Sequence, residues 1–441
     1  MTRTLSSLLL LTLLPLSAAA QPASIRLTLA DAIARGFETS HRLAEGRARE
    51  QGAQAAVRVA QAGDKPIVSA SGGYSRTNHV EEFAVSQAGF RVVVFPDIPD
   101  NFSSRLGLQW PIYTSGRVDA LERAASAEAQ AVAADIETTR ADLRFEIVRA
   151  YWAASTAREA VRVLEESTAR AEAQLNDARQ RFAVGLVPPN EVSSLEAQRS
   201  RERSQLIEAG NIRESTLIEL RRLIGAADQT VIELADALAV AASGGEGGPD
   251  APALVKEAFA QRPERKALFL RIGGIEARQQ AVMTGNKPVV AVGAGFDYAK
   301  PNPRIFPRQG TWQESWDLSV NVTWPFLDFG RTKAQVAEVS ALALATRERL
   351  AEFDTVIAAD VRQRLLDLDS SQAMVRAATD AVRSATDARR VIGDRYAAGV
   401  ATSTDVVVAQ AAMLESELAL TRALASVRLA EARLHRVLGR P

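Results

Sequence analysis

The residues that most often bind metals or catalyse reactions form no recognisable pattern in this sequence. The chain of 441 residues has no cysteine, and its three histidines, His41, His79 and His435, are too widely spaced to predict a metal cluster. No nucleophile elbow, phosphate loop or dinucleotide fingerprint occurs. Carboxylates are numerous on the predicted helices, where a charged face is usually just solvated. We therefore expect no catalytic, metal-binding or cofactor-binding residues, and no enzyme.

The overall charge excludes another class of function. Lysine plus arginine and aspartate plus glutamate number 53 each, so the formal net charge is zero. No field of one sign is available to attract nucleic acid, and nucleic acid is not expected as a partner.

Residues 1–20 have the features of a secretory signal peptide. Arg3 precedes the apolar run at 8–14, and the small residues at 17–20 provide a cleavage site. An uncleaved anchor is the alternative, but the apolar run is too short to span about 30 Å of hydrocarbon. No apolar run of about eighteen residues follows. The sequence predicts an exported protein that only β-strands could hold in a membrane.

The rest of the sequence is an internal two-fold repeat. Three pairs of matching segments are offset by 214 residues: 110–117 and 324–331, 181–186 and 395–400, and 223–225 and 437–439. The glycine-rich segment 243–250 predicts a linker between the first repeat, 21–242, and the second, 251–441.

Each repeat contains a long segment without a helix breaker. Arg117 to Val184 is 68 residues without glycine or proline, and Arg331 to Ile392 is 62. As helices these would be roughly 90–100 Å long. A second helical segment follows each of two glycines, Gly185 and Gly399, which predicts helical hairpins at 117–225 and 331–439 with these glycines in their turns. Apolar residues at three- and four-residue spacing suit close-packed helices, and on the helices alone a coiled-coil scaffold without transport fits equally well.

Before each long helix, two segments alternate in hydrophobicity with a period of two, which predicts strands with one apolar and one polar face. They lie at about 64–76, 102–113, 287–299 and 314–326. Strands of about ten residues with tryptophans near their ends are typical of a transmembrane β-barrel. A soluble sheet with one solvated face is the alternative. Four strands do not close a channel, since the smallest single-chain barrels have about eight, so we expect three chains to contribute twelve strands.

The repeated order of strand pair, long helix, turn and return helix resembles the TolC-like outer-membrane efflux proteins over essentially the whole mature chain. The most specific residues are Arg181-Phe-Ala-Val-Gly-Leu186 with Glu191, and Arg395-Tyr-Ala-Ala-Gly-Val400 with Asp405. The resemblance implies an α+β membrane protein: a homotrimer with an outer-membrane β-barrel, four strands per chain, continued by a long periplasmic α-helical barrel. It implies contact with outer-membrane lipid, with a periplasmic adaptor (membrane fusion) protein and with an inner-membrane RND or ABC transporter.

The resemblance also implies site residues. At the periplasmic tip, the residues expected to dock the adaptor are Val184, Gly185, Leu186, Ala398, Gly399 and Val400. The residues expected at a periplasmic gate are Glu191, Tyr396 and Asp405, whereas Ala401 and Val408 depart from charged residues found in some members. A plain helix cap also explains the glycines, and solvated helix ends also explain the charges.

The implied function is a passive exit duct driven by the inner-membrane pump. Two classes of cargo are compatible with such a duct: small molecules, such as drugs, and the proteins that a type I secretion system exports. A structural, envelope-spanning scaffold remains the alternative. We expect residues 77–101 to form an extracellular loop, placed where it could narrow the mouth, and its role stays open.

Overall fold

A computed structural model gives the fold of residues 24–87, 89–239 and 250–440. The predicted signal peptide, 1–20, and all but the last residue of the predicted linker, 243–250, lie outside these residues. In chain order the elements are β1 Ser24–Leu27, α1 Leu29–Thr39, α2 His41–Gln61, β2 Ile67–Arg76, β3 Phe83–Gln87, β4 Phe90–Phe95, β5 Asp100–Tyr113, α3 Arg117–Ala183, α4 Pro189–Leu223, β6 Val231–Leu234, α5 Ala251–Gln261, α6 Pro263–Met283, β7 Val289–Lys300, β8 Gln313–Thr323, α7 Arg331–Ala397 and α8 Ser403–Leu438.

Two compact units make up the chain. One contains the described parts of Met1–Ser40, Asp142–Gly248 and Arg364–Arg436. The other contains the described parts of His41–Ala141, Pro249–Gln363 and Val437–Pro441. We call them the hairpin-turn unit and the sheet unit.

The sheet unit is built around four antiparallel strands in the order β2-β5-β7-β8. The strand limits differ from those expected by at most three residues. Two limits differ by three residues, the start of β2 and the end of β8, and the second has a simple cause: β8 stops at Thr323 rather than 326. Pro325 has no N–H to donate to a strand ladder, so pairing ends before it.

The segment 77–101, expected as a loop, contains a β-hairpin of its own. β3 and β4 pair antiparallel, with Gln87 opposite Phe90. Gly89 lies in the turn with φ of +83°, a conformation that glycine adopts without strain. The alternation in 83–95 was too short and irregular to distinguish a hairpin from a loop.

The two long helices, α3 and α7, have 67 residues each. The second continues past the segment without a helix breaker, which ends at Ile392, through Gly393 to Ala397. A single glycine costs an exposed helix about 1 kcal/mol, which the packing of so long a helix can absorb. None of the helices in the described part of the chain is both long and apolar enough to cross a membrane.

Small residues form part of the core of each unit. In the hairpin-turn unit, Leu175 and Ala178 on α3 pack against Leu195 on α4. In the sheet unit, Ala131 and Ala134 on α3 pack against Ala267 on α6. Alanine at such contacts lets helix axes approach closely, which explains its abundance in the long helices.

The hairpin-turn unit also contains a short parallel sheet that the sequence did not predict. β1 pairs with β6 across more than 200 residues of chain. The hydroxyl of the buried Tyr151 lies 3.1 Å from the Leu27 carbonyl and 2.9 Å from the Asp236 carboxylate. Asp236 also accepts the backbone N–H of Leu29 at 2.8 Å. This polar group joins both strands to α3.

Candidate functional site

One face of the four-stranded sheet is apolar and exposed. Leu106 lies opposite Phe296, and Phe296 lies opposite Trp316, so the apolar positions of neighbouring strands share a face. On β8 the side chains of Trp316, Leu318, Val320 and Val322 are 65–74 % exposed. Leaving each in water forgoes about 1.5–3 kcal/mol of burial free energy, which indicates that an apolar medium covers this face.

Aromatic side chains lie at both ends of the apolar face. At one end Phe102 is 4.9 Å from Tyr74 and 5.8 Å from Trp312, measured between ring centroids. At the other end the indole N–H of Trp110 donates to the Asp64 carbonyl at 2.9 Å. Phe102 and Trp110 are eight residues apart on β5, or about 27 Å along the strand. That is close to the apolar band of about 25 Å between the aromatic girdles of outer-membrane barrels.

The other face of the sheet is polar and carries a group of opposite charges. Arg105 on β5 donates to Asp297 on β7 at 2.7 Å and to Asp317 on β8 at 3.0 Å. To reach Asp317 its side chain crosses β7 at Gly295, where any Cβ would collide with the guanidinium. The sheet therefore separates an apolar face from a face of small and charged residues.

The two hairpin turns in the hairpin-turn unit have the same geometry. Gly185 and Gly399 both have φ of +76°. In each turn the glycine N–H donates to a carbonyl three residues back, and the next N–H to a carbonyl five residues back. This is the glycine-terminated cap expected at a helix end.

Exposed apolar side chains flank both glycines. Val184, Leu186 and Val400 are 70 %, 73 % and 64 % exposed, and Ala398 is exposed as well. A helix cap explains the glycines but gives no reason for three exposed branched side chains at the turns. The turns thus present a surface suited to binding another protein.

Two of the three expected gate residues are in contact. The hydroxyl of Tyr396, near the end of α7, donates to the Glu191 carboxylate at the start of α4 at 2.6 Å. Partial burial and this carboxylate raise the pKa of Tyr396 to about 12, so the phenol is a donor at neutral pH. The guanidinium of Arg181, near the end of α3, lies 5.1 Å from the centre of the Tyr396 ring. Tyr396 therefore links three helix ends.

The third expected gate residue makes a different set of bonds. The carboxylate of Asp405 accepts the backbone N–H of Thr402 at 2.9 Å and its hydroxyl at 2.8 Å. The Thr402 hydroxyl accepts the Asp405 N–H in return, at 3.2 Å. These bonds hold the pKa of Asp405 below its ordinary value and form a capping box at the start of α8. They join Asp405 to its own helix, not to Glu191 or Tyr396.

Sequence reasoning did not identify the Arg105 group or the part that Arg181 plays. For the contacts of Arg105, a usable signal was the pair of opposite charges, Arg105 and Asp297, on the polar faces of two predicted strands. The contact of Arg181 with the Tyr396 ring depends on how α3 and α7 pack. Within the described residues, no three His, Asp or Glu side chains are arranged to hold a metal ion.

Comparison with known proteins gives the same fold. The pattern of the family described as "Outer membrane efflux protein" matches residues 34–226 and 254–440. Protein CyaE of Bordetella pertussis is 25 % identical over 400 residues, which are 88 % of this chain and 79 % of that protein.

Two solved structures have a similar fold. The outer membrane protein VceC from Vibrio cholerae superposes with a TM-score of 0.77 at 19 % identity, over 93 % of this chain and 96 % of its own. The Neisseria gonorrhoeae MtrE outer membrane channel, in its open state, gives 0.76 at 18 % identity, over 93 % and 89 %.

The family pattern covers most of the chain, and the sheet has the apolar face and aromatic ends that a lipid bilayer requires. The chain belongs to the outer membrane efflux protein family, and its place in the cell is the bacterial outer membrane, from which it extends into the periplasm.

Proposed function

We propose that three copies of this chain form an exit duct whose β-barrel is closed between copies. In the described chain β2 and β8 each pair on one edge only. Their directions are opposite, because three antiparallel pairings separate them. The β8 edge of one copy can therefore pair with the β2 edge of the next in the same antiparallel sense. This arrangement of edges is the observation that supports the proposal.

Closure is needed because unpaired backbone groups in lipid cost several kcal/mol each. Two copies would give eight strands, a barrel that side chains mostly fill, whereas three give twelve and leave a pore. The polar face, with Gly293, Gly295 and the Arg105 group, would then line the pore, and the apolar face would meet lipid.

The hairpin turns are proposed as the docking surface for a periplasmic adaptor. Val184, Leu186 and Val400 supply the exposed apolar contacts around the two glycines. Through the adaptor the channel would connect to an inner-membrane RND or ABC transporter, whose energy drives export through a passive duct. The cargo, small toxic molecules or proteins, would be selected by that pump.

The Tyr396–Glu191 bond is proposed as the link that keeps the periplasmic end of the duct narrow. It joins the α7–α8 hairpin to the α3–α4 hairpin, so the two hairpins can move apart at this end only when the bond breaks. Asp405, exposed beside the same turn, would contribute a negative charge to the entrance rather than a link.

A photo-crosslinker tests the docking surface. The chain has no cysteine, so Leu186→Cys provides a single attachment point in intact cells. Val59→Cys on α2 is the matched control, because both side chains are 73 % exposed. Capture of an adaptor from position 186 but not from position 59 supports the proposal. The pump bound to that adaptor then identifies the cargo class.

Capture of neighbouring copies alone, from a trimeric channel, would contradict the docking surface. A planar bilayer then tests the duct itself. A conducting purified protein is a channel that docks elsewhere, whereas a protein without conductance is the scaffold.

A further inference from the structure

The connection between β7 and β8, residues 301–312, is folded and anchored. Asn302 is 1 % exposed, and its amide donates to the Gln313 carbonyl at 3.1 Å and to the Ser315 hydroxyl at 3.0 Å. Its carbonyl oxygen accepts the backbone N–H of Arg304 at 2.9 Å. A buried side chain that bonds both ends of a loop fixes the path of its first residues.

Arg304 then bonds back to the sheet. Its guanidinium donates to the Trp316 carbonyl at 2.7 Å and lies 3.7 Å from the carboxylate of Asp317. Asp317 is held in place by Arg105, the residue that crosses β7 at Gly295. The loop is thus tied into the group of opposite charges on the polar face.

The first part of the loop lies over the end of the polar face, whereas its last residue, Trp312, stacks on Tyr298 of the apolar face with ring centroids 4.9 Å apart. A cavity of about 240 Å³ separates Pro303 and Arg308 of the loop from Ser75, Ser103 and Ala299 of the sheet. The register places these three sheet residues on the same face as Arg105 and Asp297. A loop above this face extends over the space that the face lines.

The outer part of the loop also contacts the β3–β4 segment. The rings of Phe306 and Phe95 meet edge to face with centroids 6.0 Å apart, and the Arg308 guanidinium lies 5.9 Å from the centre of the Phe95 ring. These contacts are between exposed side chains of two connections, whereas Arg304 contacts the sheet itself.

We propose that residues 301–312 form a latched constriction across the mouth of the pore, with Arg304 on Asp317 and the Trp316 carbonyl as its latch. The proposal rests on the proposed function, because it requires the polar face to line a pore. Arg105 is the positioning residue that presents Asp317 to the latch. Release of Arg304 lets the outer part of the loop swing away while Asn302 retains its base, so the mouth widens without unfolding of the sheet.

Size-dependent labelling from outside the cell tests the latch. Asn321→Cys places the only thiol of the chain on the polar face, exposed and below the loop. A small, membrane-impermeant methanethiosulfonate should label it, whereas a maleimide carrying a bulky polymer should label it slowly. Adding Arg304→Ala should raise the labelling rate of the bulky reagent about tenfold. That is the factor by which the loss of one hydrogen bond to a charged group increases the population of a locally open state.

Arg308→Ala is the matched control, since it removes an arginine of the same loop that stacks on Phe95 and is not bonded to the sheet. It should leave the bulky reagent excluded, and Arg304→Lys should restore part of the exclusion. Both alanine variants must give the same trimer on native gels. Equal bulky-reagent rates in the parent, Arg304→Ala and Arg308→Ala would overturn the latch while the small-reagent labelling still supports the pore.

A separate thiol distinguishes failure of the proposed function. Val322→Cys lies on the apolar face next to Asn321, and an impermeant reagent should not label it if lipid covers that face. Labelling at position 322 in place of 321 would reverse the assignment of the faces. That result overturns the pore and, with it, the latch.

Discussion

The turns at Gly185 and Gly399 have one backbone geometry and two different sets of side-chain contacts. At the Gly399 turn, Thr402 and Asp405 cap the helix that follows. At the Gly185 turn the corresponding position is Pro188, and no side chain caps α4. Glu191 stands where Asp405 does in the repeat, and its carboxylate instead accepts the hydroxyl of Tyr396.

The difference shows how two turns with the same backbone geometry can use their acidic residues differently. A carboxylate three residues after a threonine at the start of a helix accepts hydrogen bonds from that helix start. Proline offers no hydroxyl and no N–H, so the carboxylate after it remains available to another helix. The residue at the helix start thus decides which of two equivalent acids links the hairpins.

Tyr396→Phe should have the largest effect, because it makes the end of α7 resemble the end of α3, where Phe182 stands. The change removes one hydrogen bond to a carboxylate, worth about 1.5–3 kcal/mol. If that bond holds the duct narrow, the open fraction of channels, and with it the mean conductance of a planar bilayer, should rise about tenfold or more.

The control is Glu196→Gln, which removes a carboxylate that pairs with Arg179 inside one hairpin at 2.5 Å. It should leave conductance unchanged. An unaltered conductance in Tyr396→Phe would show that the contact is structural and that the constriction lies elsewhere.

Alkaline pH should break the same link in the unmodified protein. The pKa of Tyr396 is raised to about 12 from an ordinary value of 10.0. The stabilisation is therefore complete below the ordinary value and is lost as the pH rises through 12. Conductance should increase over that range, and Tyr396→Phe should show no such increase.

Ultraviolet absorbance checks the assignment of the titrating group. Burial also raises the pKa of Tyr151 to about 12, so the two tyrosines overlap in a single titration. The difference between the unmodified protein and Tyr396→Phe should be one phenolate that forms near pH 12. A difference that titrates near 10 would mean that Tyr396 is not bonded to Glu191 in solution.

Gly185→Ala and Gly399→Ala should sharpen the comparison by having equal effects. Both positions have positive φ and no atom near an added Cβ, so the cost is backbone strain alone, about 1–2 kcal/mol. Hydrogen exchange of the turn amides should accelerate equally in the two variants.

Gly210→Ala is the control with the opposite sign. This glycine lies within α4 with open space around it, so alanine should stabilise the helix by about 0.5–1 kcal/mol. A smaller effect at Gly399 than at Gly185 would show that the Tyr396 link holds its turn even when the backbone is strained.

Local patterns were enough to predict much of the fold. The helical hairpins, their turns at Gly185 and Gly399, and the four strands depend on periodicity and on single breaker residues. Such signals act over a few residues, so a sequence carries them plainly. The family itself was indicated by the same residues, because its turn motifs coincide with them.

Contacts between distant segments could not be predicted in this way. Arg105 and Asp317 are 212 residues apart, and their bond depends on strand order and on the space above Gly295. For the gate, the family resemblance placed Glu191, Tyr396 and Asp405 in one group. The structure brings Glu191 and Tyr396 together, whereas the Asp405 carboxylate accepts hydrogen bonds from Thr402. The spacing Thr-x-x-Asp is a local signal for that second contact.

Pro188→Thr should have the smallest effect and tests the comparison most directly. It places a hydroxyl at the start of α4, three residues before Glu191, which is the spacing that Thr402 and Asp405 use. Glu191 would then divide its carboxylate between its own helix end and Tyr396. Because a helix cap is worth about 0.5–2 kcal/mol, conductance should rise about threefold, less than in Tyr396→Phe. Pro188→Ala removes the proline without adding a hydroxyl and should leave conductance unchanged. If both variants raise the conductance equally, the rigidity of Pro188 rather than the missing cap keeps Glu191 available to Tyr396. If neither does, the residue at the helix start does not decide the partner of Glu191.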